Sequence, residues 1–266
     1  MISNLNKYLL PTLLIVFIST FFLARNYRAV DQLHPQTLKE PVQTEPKFKN
    51  QFKFIKNDYA FTVTPLYDYE ISGLIVGKIN YDSWYSPYKT DKAFGTDLCL
   101  LWGENIKNKV FQNPSLRFSQ DQRYCWCETS GPSQFKLNEL SNNHLVTNDK
   151  KVAEKIKSLN ISDQVKIKGQ LVDIHAKLIG KEEAYDQKEI RWHSSTTRTD
   201  GDAGACEIIY VKELEILIQG NPTARLLHKI SLYGLLLLVG LNVLQFMKVP
   251  MNIFTEEDMK KRLRGK

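Results

Sequence analysis

Ile230-Ser-Leu-Tyr-Gly-Leu-Leu-Leu-Leu-Val-Gly-Leu-Asn-Val-Leu-Gln-Phe-Met247 contains no charged side chain. Extended back to Leu226, and rising about 1.5 Å per residue as a helix, it nearly matches a hydrocarbon core of roughly 30 Å. Its apolar residues favour insertion by about 0.3 to 0.6 kcal/mol each, which over roughly ten of them outweighs Asn242 and Gln245. The stretch therefore reads as a transmembrane helix over residues 226–247, and it sets the compartment of everything before it.

The tail that follows carries Lys248, Lys260, Lys261, Arg262, Arg264 and Lys266. Basic residues beside a span stay in the cytoplasm, so residues 248–266 are expected to be a basic cytoplasmic tail. A second uncharged run, Tyr8 to Ala24, follows a short start containing Lys7. It is read as an uncleaved first span over residues 8–24, at the short limit for crossing; a cleaved signal peptide is the alternative. Residues 1–7 then lie in the cytoplasm, and the middle of the chain is extracytoplasmic. The expected setting is a bacterial inner membrane crossed more than once, with a periplasmic central domain.

Of the net charge of +7, the tail beyond Met247 carries +3 and Lys7 one more, which leaves +3 for the rest. That is too little for a nucleic-acid face. Residues 25–56, punctuated by Pro35, Pro41 and Pro46, read as an extended linker. Residues 57–222 are long enough to bury one core.

Within that domain, Tyr69 to Ile79 alternates with a period of two and reads as a strand. Gly73 and Gly77 share one face of it and signal bending or close backbone approach. Asp97 to Trp102 is a second strand, and Arg123 to Thr129 a third, with Cys125 and Cys127 on one face and Trp126 on the other. Asn148 to Leu159 places Val152, Ile156 and Leu159 at helical spacing behind a cap at Asn148 or Asp149. Asp163 to Val172 alternates apolar residues with Lys166, Lys168 and Gln170, so one face is wet. Cys206 to Leu217 is the last strand. Three strands, a helix and two strands resemble the element order of an OB-type five-stranded barrel, and Asp163 to Val172 looks like its fourth strand. The expected fold is thus α+β, two transmembrane helices bracketing an OB-like β domain, with a β-sandwich carrying one helix as the alternative.

In an exported domain, Cys99, Cys125, Cys127 and Cys206 read as disulfide partners, connectivity open; in a reduced compartment they suggest a metal or redox module. Trp84, Tyr85 and Tyr88 fall in a long loop after the first strand, and Trp192 and Arg198 in a polar excursion before the last one. Aromatic and arginine anchors on loops are the expected contacts for a ligand or partner. Asp200-Gly-Asp202 lacks the further oxygens of a calcium loop. No metal site and no cofactor are expected. Ser231, Gly234, Asn242 and Gln245 cluster on one side of the second span and read as a helix-pairing face.

The chain carries no Gly-x-Ser-x-Gly elbow, no His-Glu-x-x-His and no phosphate loop. It is read as a non-catalytic binding or assembly component of an envelope complex, with the membrane and other envelope proteins, or a second copy, as partners. The alternative is an exported hydrolase built on His175 or His193 with Asp173, Asp200 or Asp202, and with Ser194 or Ser195 as nucleophile. His144, in Ser141-Asn-Asn-His-Leu145, reads as a loop residue.

Overall fold

The computed structural model describes residues 2–81, 95–121, 124–179, 188–198 and 206–248. In chain order the elements are α1 (Ile2–Ala24), β1 (Val42–Thr44), β2 (Phe52–Lys56), β3 (Tyr59–Asn80), β4 (Thr96–Leu101), α2 (Gly103–Lys107), β5 (Leu116–Gln120), β6 (Cys125–Thr129) and β7 (Leu140–Val146). They continue with α3 (Lys150–Ser158), β8 (Gln164–Leu178), β9 (Glu189–Trp192), β10 (Cys206–Ile218) and α4 (Pro222–Lys248). Of the described residues, those between 24 and 222 form one unit, and residues 2–23 with 223–248 form another.

The first unit is a mixed α+β arrangement around a large sheet, whose eight described strands run β1–β3–β4–β7–β10–β8–β9 with β2 also on β3. A further antiparallel ladder joins β3 to β8, from Tyr59 opposite Leu178 to Leu74 opposite Gln164. Strand β10 lies parallel to β7, whereas β3–β4, β4–β7 and β8–β10 are antiparallel.

At 22 residues, β3 is far longer than an ordinary strand. It bends instead of running straight. Its register slips between Pro65 and Tyr67 against β8, and between Ile75 and Gly77 against β4. Such bulges turn a strand and increase its twist. The glycines serve the close approach: a Cβ on Gly73 would sit 2.8 Å from the Leu101 carbonyl oxygen, and one on Gly77 would sit 3.0 Å from Cys99 Cβ. Gly169 of β8 is tighter still, since an added Cβ would lie 2.1 Å from the Tyr210 carbonyl oxygen.

Alternation along the strands separates the cores. Leu98, Leu100, Leu145, Ile167, Ile209 and Val211 face one cluster, which Val152 and Ile156 of α3 help to cover. Asp149 caps that helix by accepting from the Lys151 and Val152 amides at 2.7 and 3.1 Å. The opposite faces feed two further clusters, one around Phe54, Tyr59, Phe61, Tyr81 and Ile208, the other around Cys99, Ile106, Phe111 and Phe118. Each fully buried large side chain contributes about 1.5–3 kcal/mol.

Two expectations are corrected. The third strand of the large sheet is not Arg123 to Thr129: among the described residues β6 pairs with β5 alone, in a separate two-stranded ribbon. The place between β4 and β10 belongs to β7, the polar Leu140–Val146 stretch that reads as a loop. It forms a strand because its neighbours bury both of its faces. Residues 25–56 are also more than a linker. They carry β1, β2 and two short 3-10 turns, with Val30 and Thr37 buried. Gln164 fastens them, accepting from the His34 amide and donating to the Gln32 carbonyl, each at 2.7 Å.

In the other unit, α1 and α4 contain apolar windows at Lys7–Ala24 and Pro222–Gln245, each long enough to cross a membrane. They pack antiparallel. Leu13 fits against Gly234, where a Cβ would come within 3.0 Å of its Cδ1, and Phe17 stacks on His228 at 4.4 Å. Of the expected pairing face, Gly234 meets Leu13 of α1, and Ser231 is buried and donates to the His228 carbonyl of its own helix. Asn242 and Gln245 remain on the exposed side, and Asn242 donates to the Leu238 carbonyl of its own helix. The basic tail lies outside the described residues.

Candidate functional site

Trp84, Tyr85 and Tyr88 lie outside the described residues, as do Asp200 and Asp202. Trp192 and Arg198 are described, and both are used within the domain. Trp192 sets its ring edge-on to His144 at 4.7 Å. Arg198 lies 5.6 Å over both Tyr69 and Trp102, and donates to the Tyr69 hydroxyl at 3.3 Å. Burial, and then the charge of Glu207, push the Tyr69 phenol well above its ordinary range, with Arg198 opposing them. The arginine thus fastens its segment onto the core.

The residues of the hydrolase alternative do meet, but in a different arrangement. Asp173 Oδ2 lies 3.1 Å from His193 Nδ1, and Oδ1 accepts from the Ser194 amide at 3.1 Å. The Ser194 hydroxyl donates to the Ser195 carbonyl and accepts from the Ile208 amide, both at 3.0 Å. Ser195 donates to the Thr197 carbonyl at 2.8 Å. These bonds pin residues 193–197 to the sheet instead of aligning a serine with a histidine. His175 pairs with Glu189 of β9, whose carboxyl the Arg191 guanidinium and then His175 hold down at about 2.

Cys99 and Cys125 form a disulfide that ties β4 to β6. Cys127 and Cys206 are outside it, and burial pushes the Cys127 thiol up. Cys206 opens β10 and is half-buried. It accepts from Asn142 Nδ2 at 3.8 Å, while Asn142 Oδ1 accepts from Gln120 Nε2 at 2.9 Å.

A buried polar cluster spans β4 and β7, and sequence reading missed it. Asp97 Oδ2 receives the Tyr81 hydroxyl at 2.6 Å and lies 2.7 Å from His144 Nδ1. Asp97 and His144 are cross-strand partners, and their side chains are 0% and 1% exposed. Burial alone would push the imidazole down. The Asp97 carboxylate outweighs it, Cys206 adds to the effect, and the His144 pKa is raised to about 10. The missed signal is alternation: Asp97 and Cys99, Asn142 and His144, and Cys206 occupy the face opposite Leu98, Leu100, Leu145 and Ile209.

On β2, β3 and β8 lies a groove of about 730 Å³. Ile55 and Ala60 give it apolar surface beside Lys53, Thr62, Lys177 and His175, while the Phe54 and Phe61 rings stack at 4.8 Å on the opposite, core-facing side of the same strands. Ile55 is 68% exposed. A smaller groove of about 420 Å³ between α3 and the β8–β10 ladder mixes lysines with Glu213 and Glu215. Among the described residues no group of three His, Cys, Asp or Glu side chains is placed to hold a metal ion.

No protein-family model matches this chain, and comparison with curated proteins and with solved structures found no match.

Proposed function

We propose that the chain is a membrane-anchored binding or assembly component of an envelope complex, holding an OB-like domain outside the cytoplasm. The groove on β2, β3 and β8 carries the binding part of this reading. Its volume falls in the ordinary range for ligand sites, and it joins the apolar Ile55 and Ala60 to a few convergent polar groups, as such sites do. Lys53 and Lys177 suit an occupant with an apolar body and a carboxylate. An extended acidic-apolar segment of a neighbouring envelope protein has that chemistry, and β2, an edge strand among the described residues, offers main-chain partners to such a segment.

The anchoring part is supported by α1 and α4, by the lysines and arginines after Met247, and by a disulfide, which persists in oxidising compartments. The OB-like part is supported by element order: β3, β4 and β7, then α3, then β8 and β10, with β7 taking the place first assigned to β6.

The test is a photoreactive amino acid at Ile55 in the full-length chain, irradiated in native membranes. A discrete crosslinked neighbour, lost when Lys53 and Lys177 are both changed to Glu, is the expected result. Absence of a product, or a product indifferent to those charges, overturns the groove reading. Alkaline phosphatase fused after Gln219 should be active; activity only of a cytoplasmic reporter at that junction overturns the topology.

A further inference from the structure

We propose that the groove between α3 and the β8–β10 ladder binds an aminoalkyl phosphate, a group with a phosphate at one end and an ammonium at the other, as in phosphoethanolamine. The site shares no residue with the groove on β2, β3 and β8 and does not depend on it.

One wall is α3. Asp149 caps its first turn, and Val152 and Ile156 anchor it in the core. At its far end Lys78 Nζ donates to the Ile156, Lys157 and Leu159 carbonyls at 3.2, 2.8 and 2.7 Å. The helix is thus fixed at both ends, and it presents Lys151 and Lys155, one turn apart, to the groove. Two like charges at that spacing repel, and among the described residues no carboxylate pairs with either ammonium. The other wall is β10. Glu213 and Glu215 stand in register with Lys168 and Lys166 of β8, a cross-strand pairing that would ordinarily neutralise them. The lysines turn the other way: Lys166 Nζ lies 2.6 Å and Lys168 Nζ 3.5 Å from the Glu70 carboxylate of β3. Glu213 and Glu215, which flank buried Leu214, are left without an ion-pair partner among the described residues.

A pair of ammoniums therefore faces a pair of carboxylates across a space of about 420 Å³. Exposed charges that do not touch gain little from each other in water. A ligand that carries both signs gains from both walls. An anion alone meets Glu213 and Glu215, and a cation alone meets Lys151 and Lys155, so neither is matched to the groove. Lysine serves phosphate as a compact point charge, and paired carboxylates accept the three N–H donors of a primary ammonium. The space lies in the range of small-ligand sites and is larger than a bare phosphate fills. Val152 and Leu214 close it on the core side and give the short carbon bridge an apolar surface. Such a group exists free or as a lipid headgroup, and β10 leads directly into α4.

The experiment titrates full-length protein in a nonionic detergent, by calorimetry, with phosphoethanolamine, glycerophosphoethanolamine, inorganic phosphate and ethanolamine. The two aminoalkyl phosphates are expected to bind about 10-fold or more tightly than phosphate or ethanolamine, each of which meets one wall only. Lys151→Gln with Lys155→Gln weakens phosphoethanolamine binding by about 10-fold or more. Glu213→Gln with Glu215→Gln removes the preference, and inorganic phosphate then binds more tightly than it does to wild type. All four side chains are exposed, so both double variants keep the parent's urea midpoint. Tighter binding of the diester, with phosphatidylethanolamine retained from mixed micelles, identifies a lipid as the source; tighter binding of the monoester identifies the free compound. Either supports the proposal. No binding at millimolar concentration, or wild-type protein that takes inorganic phosphate as well as phosphoethanolamine, overturns it. So does a folded lysine variant that binds as the parent does.

Discussion

His144 and Asp97 meet at 2.7 Å across the β4–β7 ladder, both shut away from water. Removing one partner strands the other's charge in the interior, which typically costs about 3–5 kcal/mol. His144→Ala is therefore expected to lower stability by about that amount, read as a drop in the urea midpoint at unchanged slope. Tyr81→Phe takes away only a hydroxyl donor to the carboxylate, and should cost about 1.5–3 kcal/mol. If both variants melt like the parent, the pair is not closed in solution.

The same pair gives stability a pH dependence with a definite sign. His144 titrates higher in the folded chain, at about 10, than its ordinary 6.5. A raised pKa means the folded state holds the proton more tightly. The stabilisation is complete below about 6.5 and is lost as pH rises through about 10. Denaturation midpoints of wild type and His144→Gln should therefore converge as pH climbs through that window. A constant difference would remove the ion pair as their cause.

The Cys99–Cys125 bridge closes a loop with a sequence separation of 26. A crosslink of that span contributes about 2–4 kcal/mol. Cys125→Ser should lower the melting temperature, whereas Cys127→Ser should leave it near the parent value. Equal melting of wild type with and without reductant would show that the bridge is absent in the isolated protein.

Gly169 faces main chain, with the Tyr210 carbonyl oxygen 2.1 Å from where a Cβ would stand. Gly169→Ala has to push β8 and β10 apart, at about 1–3 kcal/mol or more. Gly131→Ala, whose new methyl would find only Ser115 Oγ at 4.0 Å, should stay within about 0.5 kcal/mol. Urea denaturation of the two variants makes the comparison.

Much of the architecture was legible because it rests on periodicity. Val165, Ile167 and Leu171 alternate with lysines and form β8, and Val152, Ile156 and Leu159 repeat at helical spacing and fall on α3 and its C-cap. The glycines of β3 announced the close approach that Gly73 and Gly77 make. The polar cluster was not legible. Ser141, Asn142, Asn143 and His144 have the composition of a loop, and only pairing with β4 and β10 makes a buried strand of them. Cys125 and Cys127 show the opposite case: their strand-like alternation suits the main sheet equally well, yet the strand pairs with β5. For Trp192 and Arg198 sequence shows residue type and not the neighbour each one packs on, His144 for the first and Tyr69 for the second.

Strand β3 takes ladder partners from β1, β2, β4 and β8, and β8 is made long after it. During synthesis the nascent chain must therefore carry an apolar, half-matched ribbon until Gln164–Leu178 arrives to cover it. Contacts so distant in sequence make assembly slow and leave edges open to wrong neighbours. Truncations ending before residue 164 should be degraded or aggregate, and escort by a holdase chaperone should raise the yield of the whole chain more than that of a protein built from local hairpins.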